Sequence, residues 1–255
     1  MTLAIVRAVP DSINECQLTH RGREGIDLGL ARRQHEEYVR ALEELGAQIR
    51  ELAPMHDAPD SVFVEDAAVV LDEVAIITRP GAPSRRTEVP TVAELLGEYR
   101  TCEHIREPAL LDGGDVVVLG RRVFVGRSSR SNGHAFDSLR RILDRFGYSL
   151  TLAPITSCLH LKSAATAIAD DTILVNPAWV DPTCFEPCRT IEVHPDEPDA
   201  ANAVRVGMVL LHAAEFPRTR DRLESAGFAV RPVPASELAK AEGSLTCCSL
   251  ILDSV

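Results

Sequence analysis

Apolar positions in this chain come in short runs that recur in pairs. Residues 67–71 (Ala-Ala-Val-Val-Leu) give way at Asp72-Glu73 to a second run at 74–78. Residues 116–119 turn at Gly120-Arg121 into 123–126, and residues 164–169 turn at Asp170-Asp171 into 173–176. Residues 202–213 fold back at Val206-Gly207-Met208. Short runs of Val, Ile, Leu and Ala bounded by glycine and acidic residues predict buried strands, and each pair predicts a hairpin. Residues 3–9 predict a further strand, 228–232 another, and the chain closes on an apolar run that follows two adjacent cysteines, Cys247 and Cys248. Between the strands the period changes. Over residues 31–45, Tyr38, Val39, Leu42 and Leu45 recur at helical spacing with charges between them, and Gly46 stops the pattern, which predicts an amphipathic helix. Shorter helices are expected over residues 91–99, 134–146, 217–226 and 236–241. Residues 11–29 form a long polar loop containing Cys16, Leu18 and His20; a loop of this length is either a binding lid or a plain connection, and the sequence leaves both open. The proline-rich stretch 182–198 is expected as a surface excursion.

A polar residue stands at the head of each of five such runs: Asp66, Asp115, His160, Asn202 and Cys247, separated by 49, 45, 42 and 45 residues. Steps of that size mark a repeated supersecondary unit. Five units packed radially crowd their first strands around one axis and bring equivalent strand ends to a common point. The expected fold class is therefore α/β, a five-bladed propeller with pseudo-fivefold repeats around a central site. No linker or charge block divides it, so residues 1–255 are expected as one domain.

Composition narrows the function classes. With 255 residues, 45% of them hydrophobic and 25% charged, the chain suits a soluble globular protein. A net charge of −11 argues against a broad nucleic-acid footprint and is compatible with a cationic ligand. The N-terminal apolar stretch is interrupted by Arg7 and Pro10, too short for a signal core or a membrane span, so a cytoplasmic location and no membrane partner are expected. The seven cysteines show no disulfide framework and are expected reduced. Cys184 and Cys188 lack the second half of a zinc site, and the eight histidines show no ligand spacing, so no metal is expected.

Several groups carry candidate chemistry. Glu65 and Asp66 abut a strand, where acids ordinarily cap turns; two adjacent carboxylates also suit forked hydrogen bonding to a planar cation. Arg85 and Arg86 lie in a turn rich in Pro and Gly, and Arg130 in a polar loop; such arginines are usually solvated, and the functional alternative is to hold a ligand carboxylate. Gly113-Gly114 lacks the surroundings of a phosphate loop and marks a close backbone approach. His160, taken alone, is more often a structural residue than a catalyst; its place among the five heads argues for function.

Five strings, Pro59-Asp60-Ser61-Val62-Phe63-Val64-Glu65-Asp66, Ile77-Thr78-Arg79-Pro80-Gly81 with Ser84-Arg85-Arg86, Leu111-Asp112-Gly113-Gly114-Asp115, Leu159-His160-Leu161-Lys162 and Leu245-Thr246-Cys247-Cys248-Ser249, resemble the dimethylarginine dimethylaminohydrolases in matching order over nearly the whole chain. The resemblance implies the pentein fold, a five-bladed α/β propeller, and hydrolysis of Nω-methylated arginines to citrulline and a methylamine without a cofactor. It implies Cys247 as nucleophile, His160 as general acid and base, and Asp112 as the carboxylate orienting that histidine, where some members carry Glu. It further implies Glu65 and Asp66 as guanidinium clamp, Asp60 as the α-amine contact, Arg85 and Arg130 as α-carboxylate contacts, and Leu18 as a backbone contact on the covering loop. Cys248 is expected to point to the opposite face of its strand from Cys247. The alternatives are an arginine deiminase-like or other guanidine or ureido hydrolase of the same fold, and a noncatalytic propeller binding module, which would have no need of Cys247, His160 and Asp112 together. The expected partner is a small molecule; homo-oligomerisation stays open.

Overall fold

In the computed structural model, which describes residues 2–253, the strands form five three-stranded sheets. They are β1 (Leu3–Arg7), β2 (Gln48–Leu52), β3 (Ala68–Val70), β4 (Val74–Ile77), β5 (Thr101–His104), β6 (Val116–Leu119), β7 (Arg122–Arg127), β8 (Ser149–Pro154), β9 (Ala165–Ala167), β10 (Thr172–Val175), β11 (Arg189–Glu192), β12 (Ala203–Val206), β13 (Val209–Ala213), β14 (Ala229–Val233) and β15 (Ser249–Leu252). Each blade repeats one pattern. An inner strand pairs antiparallel with a central strand, as β3 with β4, and the central strand pairs parallel with an outer one, as β4 with β5. A parallel neighbour needs a crossover, supplied by α1 (Leu28–Glu44), α2 (Val89–Leu96), α3 (Gly133–Leu143) and, in the fourth blade, α4 (Pro217–Ser225); the third blade makes do with a 3-10 turn, Pro182–Phe185. Two single-turn helices, Leu161–Ala164 and Ser236–Ala239, precede the inner strands β9 and β15.

The fifth blade is made from both ends of the chain: β15 lies antiparallel on β1, Leu252 opposite Leu3, and β1 is parallel with β2. Alternation along a strand sends successive side chains to opposite faces, and β1 is buried on both. Ala4 and Val6 enter the apolar cluster shared with Val204 and Leu211 of the fourth blade, whereas Leu3 and Ile5 enter the one shared with Ala75 and Ile77 of the first. Three more clusters fill the remaining gaps between neighbouring blades. The ring therefore closes by burial between blades, and truncating a side chain such as Leu3 to Ala costs about 2–5 kcal/mol.

The five-bladed expectation holds, and the hairpins fall where the apolar runs placed them. The outer strands were mostly missed. Gln48–Leu52, Thr101–His104, Ser149–Pro154 and Arg189–Glu192 are partly exposed and lack a continuous apolar run, and the last lies inside the expected surface excursion at 182–198. The first strand ends at Arg7, two residues earlier than expected. Helix α1 starts at Leu28, earlier than residue 31, because Asp27 caps it by accepting the Leu30 amide at 2.9 Å. Along the axis runs a cavity of about 470 Å³, lined by the inner strands of all five blades and by Glu65, Lys162 and Thr246. No described helix is long and apolar enough to cross a membrane.

Candidate active site

Ahead of each inner strand the chain makes one tight helical turn, and these turns carry the chemistry. Val64–Ala67 holds Glu65 and Asp66, Gly113–Asp115 follows Asp112, Leu161–Ala164 follows His160, and Thr246–Cys248 contains both cysteines. Cys247 and Cys248 are thus not on a strand, and the alternation expected for them does not apply; in the turn, Cys248 packs into the apolar cluster, 1% exposed, while Cys247 faces a small cavity.

That cavity has a volume of about 20 Å³, and Asp60, Asp66, Arg85, Arg130, His160 and Cys247 line it together with Gln17, Phe63 and Glu242. The His160 ring is held between two carboxylates: Nε2 lies 3.1 Å from Asp112 Oδ2, and Nδ1 lies 3.8 Å from Asp66 Oδ1. Asp112 is itself fixed, its other oxygen accepting the Gly81 amide at 2.9 Å and its own amide reaching Ser131 Oγ at 3.2 Å. Burial alone would lower the imidazole pKa, but Asp66 and Asp112 overcome it and raise the value to about 9. Asp66 feels burial in the opposite sense and is nevertheless lowered to about 2 by His160 and Arg85.

Paired glycines allow this closeness. A Cβ on Gly114 would stand 2.7 Å from His160 Nδ1 and 2.8 Å from Asp66 Oδ1, and one on Gly113 would stand 2.1 Å from the Glu65 carbonyl. The Gly114 amide donates to Asp66 Oδ1 at 3.0 Å. Asp115, second acid of the same string, faces away from the cavity: it accepts the Leu161 amide at 3.1 Å and the hydroxyls of Ser128 and Ser131 at 2.5 Å each, so it pins the turn behind His160. Of the two acids, the repeat spacing had singled out Asp115; the one that touches the imidazole is Asp112.

Glu65 lies behind the cavity. One oxygen pairs with Lys162 Nζ at 2.6 Å and the other accepts Thr246 Oγ1 at 2.8 Å. Asn202 completes this cluster, its amide nitrogen 2.9 Å from Thr246 Oγ1 and its oxygen accepting the Thr246 amide at 3.0 Å. Lys162 and Thr246 stand within the family strings, but the sequence gives neither a role. Burial, with the nearby charges of Glu65 and Asp66, pushes the Cys247 thiol pKa far above its usual value.

Arg85 is 5% exposed and heavily committed: Nε and Nη2 meet the Glu88 carboxylate, Nη1 meets Asp66, and Nη2 also donates to the carbonyls of Asp60 and Phe63. Arg130 is half-buried at the cavity mouth, 3.3 Å from Thr19 Oγ1. Asp60 accepts the Gln17 amide at 3.2 and 3.3 Å. Leu18, partly buried, packs against the apolar cluster that contains Phe63, and the neighbouring residue that lines the cavity is Gln17. Asp66, Asp112 and His160 also present donor atoms within 4.8 Å of one another, a spacing a metal ion can use. Arg85, Gly114 and Gly81 already engage the two carboxylates, so the set suits an imidazolium.

A partly buried thiol that shares a cavity with a carboxylate-flanked imidazole, with arginines and an acid at the mouth, suits attack on a cationic carbon centre. The family described as N,N dimethylarginine dimethylhydrolase, eukaryotic, matches residues 5–181. An N(G),N(G)-dimethylarginine dimethylaminohydrolase of Streptomyces coelicolor is 40% identical over 250 residues, covering 98% of this chain and 96% of that one. The structure of the Pseudomonas aeruginosa enzyme, a cysteine-to-serine mutant complexed with citrulline, superposes with a TM-score of 0.93 at 31% identity over 98% of both chains. A histidine-to-glycine mutant of a dimethylarginine dimethylaminohydrolase, as its adduct with S-methyl-L-thiocitrulline, gives the same TM-score at 31% identity over 99% of this chain and 100% of that one. Matched along almost its whole length in both sequence and fold, this chain belongs to the dimethylarginine dimethylaminohydrolase family.

Proposed function

We propose that this chain hydrolyses Nω,Nω-dimethylarginine and Nω-monomethylarginine to citrulline with release of dimethylamine or methylamine. The observation that carries the reading is the shared cavity of Cys247 and His160, with Asp112 and Asp66 on either side of the imidazole. Cys247 is the nucleophile, His160 the general acid and base, and Asp112 orients the ring. Asp66 faces the guanidinium directly, and Glu65 contributes negative charge from behind. Asp60 takes the α-ammonium and Arg130 the α-carboxylate, with Arg85 adding positive charge from a guanidinium already engaged by protein acceptors. Leu18 is the covering-loop residue that offers its backbone.

The free enzyme holds a neutral thiol and an imidazolium. A bound guanidinium places positive charge beside Cys247 and lowers the thiol pKa, so the nucleophile forms as the correct substrate arrives. The thiol releases its proton to solvent, and the thiolate sulfur adds to the central guanidino carbon. His160 donates its proton to the substituted nitrogen, the C–N bond breaks, and the amine departs, leaving a thiouronium cation on sulfur. Neutral His160 then takes a proton from water as its oxygen adds to the same carbon. The hydroxyl proton of this adduct passes to solvent as the C–S bond breaks, the sulfur leaves as thiolate, and the ureido group of citrulline remains.

The test is product identity. Purified enzyme offered asymmetric dimethylarginine, monomethylarginine, arginine and citrulline is expected to release dimethylamine and methylamine from the first two and little ammonia from arginine. Rapid ammonia release from arginine with no turnover of either methylated substrate would overturn the reading.

A further inference from the structure

We infer that Glu242 is the latch that holds the loop over the catalytic cavity, a positioning residue through which loop closure is tied to the segment carrying the nucleophile. Three successive backbone amides converge on its carboxylate. Thr19 N lies 3.0 Å from both oxygens, and His20 N and Arg21 N lie 2.5 and 2.6 Å from Oε1. Consecutive amides turned to one side make an anion-binding concavity, and here the anion is a side chain of the protein, 221 to 223 residues away in sequence.

The backbone at Glu242 is unusual for a residue that carries a side chain. Glu242 closes the turn after Ser236–Ala239 with φ at 57°, in the left-handed region where glycine or asparagine is usual after a helix. A glycine is present one residue later, at 243, where any Cβ would meet the Phe63 ring at 2.2 Å. Left-handed geometry at 242 is therefore borne by a β-carbon-bearing residue, and what that residue contributes is the carboxylate on the loop. Glu242 also lines the cavity beside Cys247, and only Gly243, Ser244, Leu245 and Thr246 separate the two.

Other ties on residues 17–21 reach exposed groups or groups that pass to substrate: the Gln17 side chain donates to Ser84 Oγ, and Arg130 donates to Thr19 Oγ1 at 3.3 Å. Arg21 pairs with Asp199 at 2.7 Å, with both side chains 43% exposed, and such a pair holds little in water. The Gln17 amide rests on Asp60, the carboxylate that the functional reading gives to the substrate ammonium. Opening for exchange of substrate and product thus requires the three amides to leave Glu242.

The experiment compares wild type with Glu242→Gln and Glu242→Gly by site-resolved amide exchange of the full chain. Both variants are expected to exchange the amides of Thr19, His20 and Arg21 about tenfold faster or more, with β4 and β7 unchanged. KM for dimethylarginine is expected to rise about fivefold or more, with a smaller change in kcat. Glu242→Gly relieves the left-handed backbone, so its Tm is expected at or above that of wild type while the loop loosens. Unchanged exchange at residues 19–21 in both variants overturns the latch. That the loop covers a methylated arginine rests on the functional reading above; amide exchange needs no turnover, so failure of the latch and failure of the substrate assignment are distinguished.

Discussion

Thr246 Oγ1 donates to Glu65 Oε2 at 2.8 Å across 181 residues of sequence, tying the turn that carries Cys247 to the turn that carries Asp66. Asn202 grips the same threonine from the fourth blade, so three blades fix where the sulfur stands.

Replacing that threonine tests how much the tie contributes. Thr246→Val keeps the shape and removes the hydroxyl, leaving a buried carboxylate oxygen and an amide short of a partner; a loss of about 1–3 kcal/mol is expected in denaturant unfolding. Thr246→Ser restores the hydroxyl and should recover most of the stability and the activity. Equal stability for Thr246→Val and wild type would show that the hydroxyl contributes nothing.

The pH profile follows from the two protons of the free site. His160, raised to about 9, is charged at neutral pH, and the Cys247 thiol, raised by burial and the acids, is neutral. The reacting state has one proton fewer, so kcat/KM should climb about tenfold per pH unit through neutrality and level as His160 titrates near 9. Asp112→Asn removes a charge that raises the imidazole pKa; the levelling point should move to lower pH and the plateau should fall by about 10² or more. A wild-type profile that is flat between pH 6 and 8, which are roughly the limits of an ordinary histidine's titration, would contradict this.

Gly114 tests the closeness of the site. Gly114→Ala places a methyl group 2.7 Å from His160 Nδ1, so the imidazole must move while the inner strand that follows stays packed. A displacement of that order costs about 10²-fold in kcat, with a smaller effect on Tm. Wild-type kcat in this variant would show that the ring has room the geometry denies.

Thiol chemistry offers the remaining check. A neutral alkylating agent should label Cys247 slowly at neutral pH and faster as pH rises, because the thiolate is the reactive form and is scarce in the free site. A reagent of similar reactivity bearing an amidinium group should label faster, since it brings the charge that stabilises the thiolate. Peptide mass spectrometry is expected to place the label at Cys247, with protection by a methylated arginine; label at Cys158 or Cys248, both buried, would count against the assignment.

Much of this architecture is written locally. Inner and central strands are buried on both faces, so they read as apolar runs, and the turns between them carry Gly120 and Gly207 with positive φ. The repeat and the five-bladed ring follow from those runs. Cys247, His160 and Asp66 stand at the heads of inner strands and are visible for that reason, and the family strings around them add Glu65 and Asp112. Outer strands such as Thr101–His104 face water on one side and carry no comparable signal.

What the amino-acid order determined by itself is therefore the set of repeating units and the residues at their inner ends. Which of those residues touch was decided only by closing the ring. Asp112, which the family strings name and the repeat spacing passes over, meets His160, and Lys162, Thr246 and Glu242 acquire partners that no local pattern announces. The physical reason is the reach of the contacts: these hydrogen bonds join segments whose sequences lie 48 to 223 residues apart, and their geometry is set by the apolar packing of the closed ring.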